Sequence, residues 1–414
     1  MELILATHRL ADPGGAPTYA LTVAEQLARL GHSVTLYTRE LGAVAELARE
    51  RVLRVTANAE ELPVEVDAVI SGVDRSLTLE LAARYPRATR LFVVHGSEEI
   101  HLPPPVSGAV AATIVLNDLH AARAASCADA GEVVRLRQPV DLRRFSPCGR
   151  PRDRPARVLL LGNYHKSTAG RANALREAWV DAQLDWREVG GATQTLDVPR
   201  EIAQADIVVG YGRSMLETMA CGRLAYVHDH SGSEGWITPE SYERMEAGGF
   251  AVAAVRPPPN AEQLRSDIEA YRSDWGRAGH DLARAHHDAR DHAAEVVALI
   301  ERLEPGRIKA PTSMLRSIEL LAESQLRAEL MAEHYRIESK QWFSELQRLQ
   351  EQLARERGAW HDARSALESE RDGAANAAAE TQERLLMFKR TRRYRFAQAL
   401  AGSLDRLRKA HGES

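Results

Sequence analysis

Short apolar runs alternate with helix-length segments from residue 2 almost to residue 303, and no other feature restricts the fold as much. ELILAT, SVTLYT, DAVISG, RLFVVHG and ATIVLN are separated by patterns such as TYALTVAEQLARLG. Runs of this kind, spaced by helices, predict parallel strands covered on both faces. SPCGRPRDRPA, residues 146–156, interrupts the pattern with proline, glycine and arginine. It then restarts: ARVLLLGNY, ADIVVG and RLAYVHDH read as strands, with LREAWVDA and MLETMACG as helices. The expected fold is α/β, with two Rossmann-like domains, 1–148 and 149–305, facing a cleft. Ligands in such sheets bind beyond the carboxyl ends of the strands. With 44% apolar residues in 414, the chain can fill two or three cores. Asn260 followed by Gln263 has the form of a capping box at a later helix.

Past EPGRIKAP, residues 304–311, one long polar helix is expected. With Ile318 at a and Leu321 at d, the a positions include Leu346, Leu353, Trp360 and Leu367, and the d positions include Trp342 and Leu349. That pattern predicts a coiled coil over residues 306–385, joining copies of the chain or a partner protein, with Glu356 and Glu370 at d weakening its later half. The alternative is a single helix folded back on the globular part. The last segment, 386–414, is basic, with Phe396, Leu400, Leu404 and Leu407 at helical spacing among arginines and lysines. It has the profile of a helix lying on an anionic membrane surface. Nucleic acid is not the expected partner, because the aromatic platforms of a dedicated binder are missing.

Three scattered cysteines make neither a disulfide framework nor a metal knuckle and favour a reducing compartment. MELILATHRL has no basic leader or apolar signal core, and no run is apolar enough to span a membrane. A cytoplasmic protein, peripheral on the inner face of the plasma membrane, is the expectation.

Several residues fall at the predicted cleft. Gly14 and Gly15 follow the first strand and precede a helix, where glycine lets backbone approach an anion and the helix N-terminus offers free N–H groups. The same pair also serves as a plain tight turn. His95 ends an apolar strand and can donate to a sugar hydroxyl or move a proton, or simply cap the strand. Lys166 and Arg171, between strand and helix, can clamp a diphosphate. Gly210 and Gly212 flank Tyr211, and the helix from Arg213 carries Glu217, a carboxylate that can accept both hydroxyls of a ribose. An acid early in a helix is also favoured by the helix dipole alone. His228, Asp229 and His230 lie on a strand that points successive side chains to opposite faces, so no metal site is read there. DHSGSEGWITPESYERMEAGGF, residues 229–250, is either a donor or acceptor loop or a surface excursion.

Three of these motifs, in order, resemble the family 4 glycosyltransferases of GT-B fold. LTVAEQLARLGHSVTLYT after the glycine turn is similar to that family's opening. QPVDLRRFSP is similar to its interdomain signature NGVDxxRFxP, and VGYGRSMLETMACGRLAYV to its element EGFGxxxLEAMAxGxPVV. The resemblance covers about residues 1–303. It implies transfer of a hexose from a nucleotide sugar, UDP- or GDP-linked, with retention of configuration and without a metal or other cofactor. Glu217 would hold the ribose and Gly210, Tyr211 and Gly212 would cover the donor sugar. Gly14 and Gly15 would face the diphosphate, and His95 would sit beside the transferred sugar.

The departures are specific. Val209 stands where the family has its first glutamate, and valine accepts no hydrogen bond. Asn163 falls at the family's diphosphate arginine, with Lys166, or Arg171 after a gap, at its lysine, and Arg213 as a substitute cation. The expected function is hexosyl transfer to a glycan or lipid-linked acceptor in cell-surface polysaccharide or glycolipid synthesis. The alternative is a non-catalytic GT-B scaffold that binds nucleotide or glycan and recruits partners through its coiled coil.

Overall fold

The structure is a computed structural model that describes every residue except 97–100, 148, 163–168, 191–192, 230–231, 253–259, 306–307, 309–311 and 412–414. Within helices, the side chains of 169–172, 404–405, 407–411 and most of 312–354 are likewise not described. Contacts divide the chain into two units, Met1–Gln341 and Trp342–Ser414.

The first unit holds two α/β lobes. The N-terminal lobe runs β1 (Glu2–Leu10), α1 (Gly15–Arg29), β2 (Ser33–Leu41), α2 (Ala43–Glu50), β3 (Arg54–Thr56), β4 (Ala68–Gly72), α3 (Arg75–Arg84), β5 (Thr89–Val94), β6 (Ala112–Val115), α4 (Asp118–Ala125) and β7 (Glu132–Arg135). Its strands form one parallel sheet in the order β3-β2-β1-β4-β5-β6-β7. The order reverses between β1 and β4, which opens a crevice at the carboxyl end of β1.

The C-terminal lobe runs β8 (Arg157–Leu161), α5 (Ala169–Ala178), β9 (Asp185–Val189), α6 (Val198–Gln204), β10 (Ile207–Gly210), α7 (Arg213–Ala220), β11 (Leu224–Asp229), β12 (Gly232–Trp236), α8 (Tyr242–Ala247), α9 (Ala261–Glu269) and α10 (Asp274–His286). The strand order is β12-β11-β10-β8-β9, parallel except for the edge pair β11–β12. Here the order reverses between β8 and β10. Asn260 and Gln263 do form a capping box at α9: each side chain accepts the other's backbone N–H, at 2.9 and 3.0 Å.

Continuously apolar strands bury both faces, as β10 shows. Val208 packs with Met215, Leu216 and Met219 of α7, whereas Val209 faces the opposite cluster of Leu160, Trp179, Tyr226 and Leu264. Helix α11 (Ala289–Arg302) follows the second lobe in sequence but packs in the core of the first, where Ala293, Val296, Leu299 and Ile300 meet Leu3, Leu5 and Leu27. It pins the segment between the lobes on the way, since Val140 N donates to the His287 carbonyl at 2.8 Å and Ala289 N to the Val140 carbonyl at 3.1 Å.

Beyond the lobes lie α12 (Thr312–Arg390) and α13 (Arg392–His411). Leu353, Trp360 and Leu367 on α12 are exposed, as are Phe388 and Phe396. Among the described residues no helix is long and apolar enough to cross a membrane.

Candidate functional site

A cleft of about 470 Å³ lies between the carboxyl ends of the two sheets. Its walls are the turns that follow the strands: Pro13–Ala16 after β1, His95 after β5, Leu116 and Asn117 after β6, Gly162 after β8, and Tyr211–Ser214 after β10. Gly14, Gly15, His95, Tyr211, Gly212, Arg213 and Glu217 all line it. Gly210 does not, although it shapes the turn: a Cβ there would come within 2.5 Å of the Leu161 carbonyl oxygen and 2.9 Å of Ser214 Oγ. Lys166 and Asn163 lie outside the described residues, and Arg171 is on α5 with its side chain undescribed.

Two helix N-termini open on the cleft. At α1, Gly14 caps with no side-chain acceptor, and a Cβ added to Gly15 would meet nothing within 4 Å. Glycine is therefore not demanded there by packing, and the space above it is available to a ligand. At α7, Gly212 adopts φ 61°, ψ −133°, a conformation that only glycine holds without strain. The turn is fixed further by Gly212 N donating to the Phe250 carbonyl at 2.7 Å.

Glu217 is 7% exposed on α7 and 2.9 Å from Arg213 Nε. Burial pushes its carboxyl above the ordinary value, against the pull of Arg213 and Arg144. Arg213 itself is 8% exposed and donates also to the Pro139 carbonyl at 2.9 Å and to Thr22 Oγ1 at 3.0 Å. It is a tie between lobes with its guanidinium turned to protein partners. Val209 lines no part of the cleft, because strand alternation sends it to the face away from α7.

His95 packs edge-on against Tyr19, ring centroids 4.9 Å apart, and Gly72 leaves room for it: a Cβ there would come within 3.2 Å of the imidazole. Desolvation, helped by His101, His120 and Arg213, lowers its pKa to about 3. That favours the uncharged ring, with one N–H donor and one acceptor nitrogen, over the imidazolium near neutral pH. Tyr19 O–H bonds His292 Nε2 at 2.9 Å, and His292 Nδ1 bonds the Arg137 carbonyl at 3.0 Å, so the imidazole wall is continuous with the interlobe segment.

The sequence reading missed Asn117, His120, Arg144 and Gly249, which also line the cleft. Arg144 donates to the Leu196 carbonyl, lies over the Phe145 ring, and adds positive charge near Glu217. It sits inside QPVDLRRFSP, so the motif was the available signal. Residues 229–250 divide between roles. Part forms edge strand β12, α8 grips the end of β7 through Glu246 and the interlobe segment through Glu243, and Gly248 and Gly249 reach the cleft wall. Among the described residues no group of three or more His, Cys, Asp or Glu gathers to hold a metal.

No protein-family model matches the chain, and no curated protein matches it by sequence. Solved structures do. HepE of Anabaena, determined with UDP and glucose, superposes with a TM-score of 0.50 at 12% identity, over 72% of this chain and 99% of HepE. An alpha-glucosyltransferase, determined with UDP and a 13-mer DNA containing an HMU base, gives 0.51 at 10% identity, over 73% of this chain and 100% of the enzyme. The fold is GT-B. In GT-B terms the cleft is the interlobe crevice, and the turns of β1 and β10 face each other across it.

Proposed function

We propose that this chain is a retaining, family 4-like glycosyltransferase. It moves a hexose from a UDP- or GDP-linked sugar to a glycan or lipid-linked acceptor, in the making of a cell-surface polysaccharide or glycolipid. The observation that carries the reading is the cleft that brings two uncapped helix N-termini and the buried carboxylate Glu217 together at the carboxyl ends of both sheets. Helix N-terminal N–H groups at the glycine turn of α1 suit a diphosphate. In this reading Gly14 and Gly15 face the diphosphate, with Lys166 and Arg171 as its cations, and Tyr211 and Gly212 cover the sugar on the turn that Gly210 shapes. Glu217 accepts from the ribose hydroxyls, which favours the ionised carboxylate as acceptor. His95, uncharged, hydrogen-bonds the transferred sugar. The reaction needs no cofactor beyond the nucleotide sugar. The solved relatives HepE and the alpha-glucosyltransferase were both determined with UDP.

The work would take place at the cytoplasmic face of a membrane, with α13 on anionic lipid and α12 paired with another copy or a partner protein.

A second reading is a non-catalytic GT-B scaffold. What favours it is Val209, which belongs to an apolar cluster and offers a donor sugar no acceptor. Thermal-shift measurements with UDP, GDP and their sugars, followed by donor hydrolysis by wild type and Glu217→Ala, separate the two. Stabilisation with turnover that Glu217→Ala removes supports the transferase; stabilisation without turnover moves the assignment to the scaffold, and no stabilisation by any nucleotide defeats the transferase.

A further inference from the structure

One guanidinium joins three parts of the first unit. Arg213 Nε donates to Glu217 one turn along α7, Nη1 to the Pro139 carbonyl in the segment between lobes, and Nη2 to Thr22 on α1 of the N-terminal lobe. All three bonds are buried and run from 2.9 to 3.0 Å. Thr22 and Pro139 fix the plane of the guanidinium, and that plane fixes Glu217. A buried carboxylate stays ionised only beside a well-placed partner. Among the described residues, the other cation close to Glu217, Arg144, is directed to the Leu196 carbonyl. Separating the lobes would take Thr22 away from Nη2, leaving Pro139 alone to hold the plane of the guanidinium and so loosening the setting of Glu217.

We propose that Arg213 is a positioning residue that sets Glu217 to receive the hydroxyls of a nucleoside diphosphate ribose only while the two lobes are together. The proposal rests on the nucleotide-sugar reading and deepens it, since recognition of the ribose becomes the signal that the cleft is closed. Lysine cannot replace arginine in this role. Its single nitrogen keeps the charge but lacks the planar fork that reaches three acceptors in fixed directions.

Calorimetric titration of the full-length protein with UDP, 2′-deoxy-UDP, GDP and 2′-deoxy-GDP tests it. Wild type is expected to prefer the ribose form of its nucleotide by about tenfold, the worth of one hydrogen bond to a charged group. Arg213→Lys should bring that ratio close to one. Thr22→Val, which cuts the interlobe tie and leaves the Arg213–Glu217 pair on its helix, should lower it part-way. A merely structural arginine would weaken both forms equally and keep the ratio, which overturns the proposal. An unchanged ratio in Thr22→Val overturns the coupling to the lobes, and decides the matter if Arg213→Lys does not fold. A wild type that binds none of the four defeats the nucleotide-sugar reading as well. Tenfold preference surviving in both variants leaves that reading standing and removes only the role of Arg213.

Discussion

Arg135 Nη2 lies 2.8 and 2.7 Å from the two carboxylate oxygens of Glu246, across the boundary between the lobes. Glu246 is buried and Arg135 only partly so, and Arg137 Nε stands 3.9 Å away as a weaker second cation. Arg135→Met therefore leaves a buried carboxylate poorly compensated. The expected cost is about 2 kcal/mol, below that of a fully buried pair because Arg135 is partly solvated. The urea midpoint measures it, and Glu246→Gln in the same background should recover part of the loss. Additive losses would mean that the pair is not coupled.

The two glycine turns predict opposite behaviour. Gly212→Ala forces alanine into a left-handed conformation and should cost about 1–3 kcal/mol. Gly15→Ala adds a methyl into open space at the start of α1, so stability should stay within about 0.5 kcal/mol. If a diphosphate approaches that turn, the same methyl should weaken UDP or GDP binding. Thermal melts and titrations on both variants check this, and full affinity in Gly15→Ala would move the diphosphate elsewhere.

Three histidines make stability fall with acid. Burial lowers His287 to about 3, His292 to about 4 and His95 to about 3. His287 Nδ1 bonds the Gln138 carbonyl and its Nε2 bonds Tyr242 O–H, both at 2.8 Å, which suits a neutral ring. The unfolded chain takes up these protons near pH 6.5, before the folded one does. Their contribution is therefore complete above that pH and is lost as pH falls toward 4 and 3, at about 1.4 kcal/mol per unit for each ring. Urea midpoints from pH 7.5 to 5 should show the slope, and His292→Gln should flatten it by one ring's share, about 1.4 kcal/mol per unit. A midpoint independent of pH across that range would contradict these buried neutral rings.

What was legible in the sequence follows the range of the interactions. Continuous apolar runs such as ELILAT and ADIVVG declare strands, and Asn260 with Gln263 declares a cap, because the causes lie within a few residues. The glycines at 210 and 212 could be read as a turn for the same reason. Arg213 could be seen as a cation at the cleft but not as a tie, since Thr22 and Pro139 are 191 and 74 residues away. Helix α11 reads as the end of the second lobe and only tertiary packing puts it in the first core. Val209 is one apolar residue among others in β10, and which face it takes depends on register with Leu160 and Tyr226.

The exposed stripe on α12 sets up a test of self-association. Leu353, Trp360 and Leu367 fall at seven-residue intervals, and all are exposed in one chain. Apolar residues at that period find a partner helix, each buried side chain contributing about 1.5–3 kcal/mol. Light scattering on the full-length protein should give a dimer or higher oligomer, and Leu353→Glu with Leu367→Glu should reduce it to one chain. A wild-type monomer, or a mass that both substitutions leave unchanged, would remove the coiled coil.

The basic end of the chain calls for a separate measurement. Lys389, Arg390, Arg392, Arg393 and Arg395 are exposed beside Phe388 and Phe396, also exposed. Aromatic side chains enter the boundary between headgroups and acyl chains, while each nearby cation adds about 1 kcal/mol on an anionic surface. Sedimentation with phosphatidylserine vesicles should carry the protein down and phosphatidylcholine vesicles should not. Binding should weaken as salt shortens the range of the charges, and a chain lacking residues 388–414 should stay in the supernatant. Attraction that survives the truncation would place the lipid contact elsewhere, and indifference to salt would show that the cations take no part.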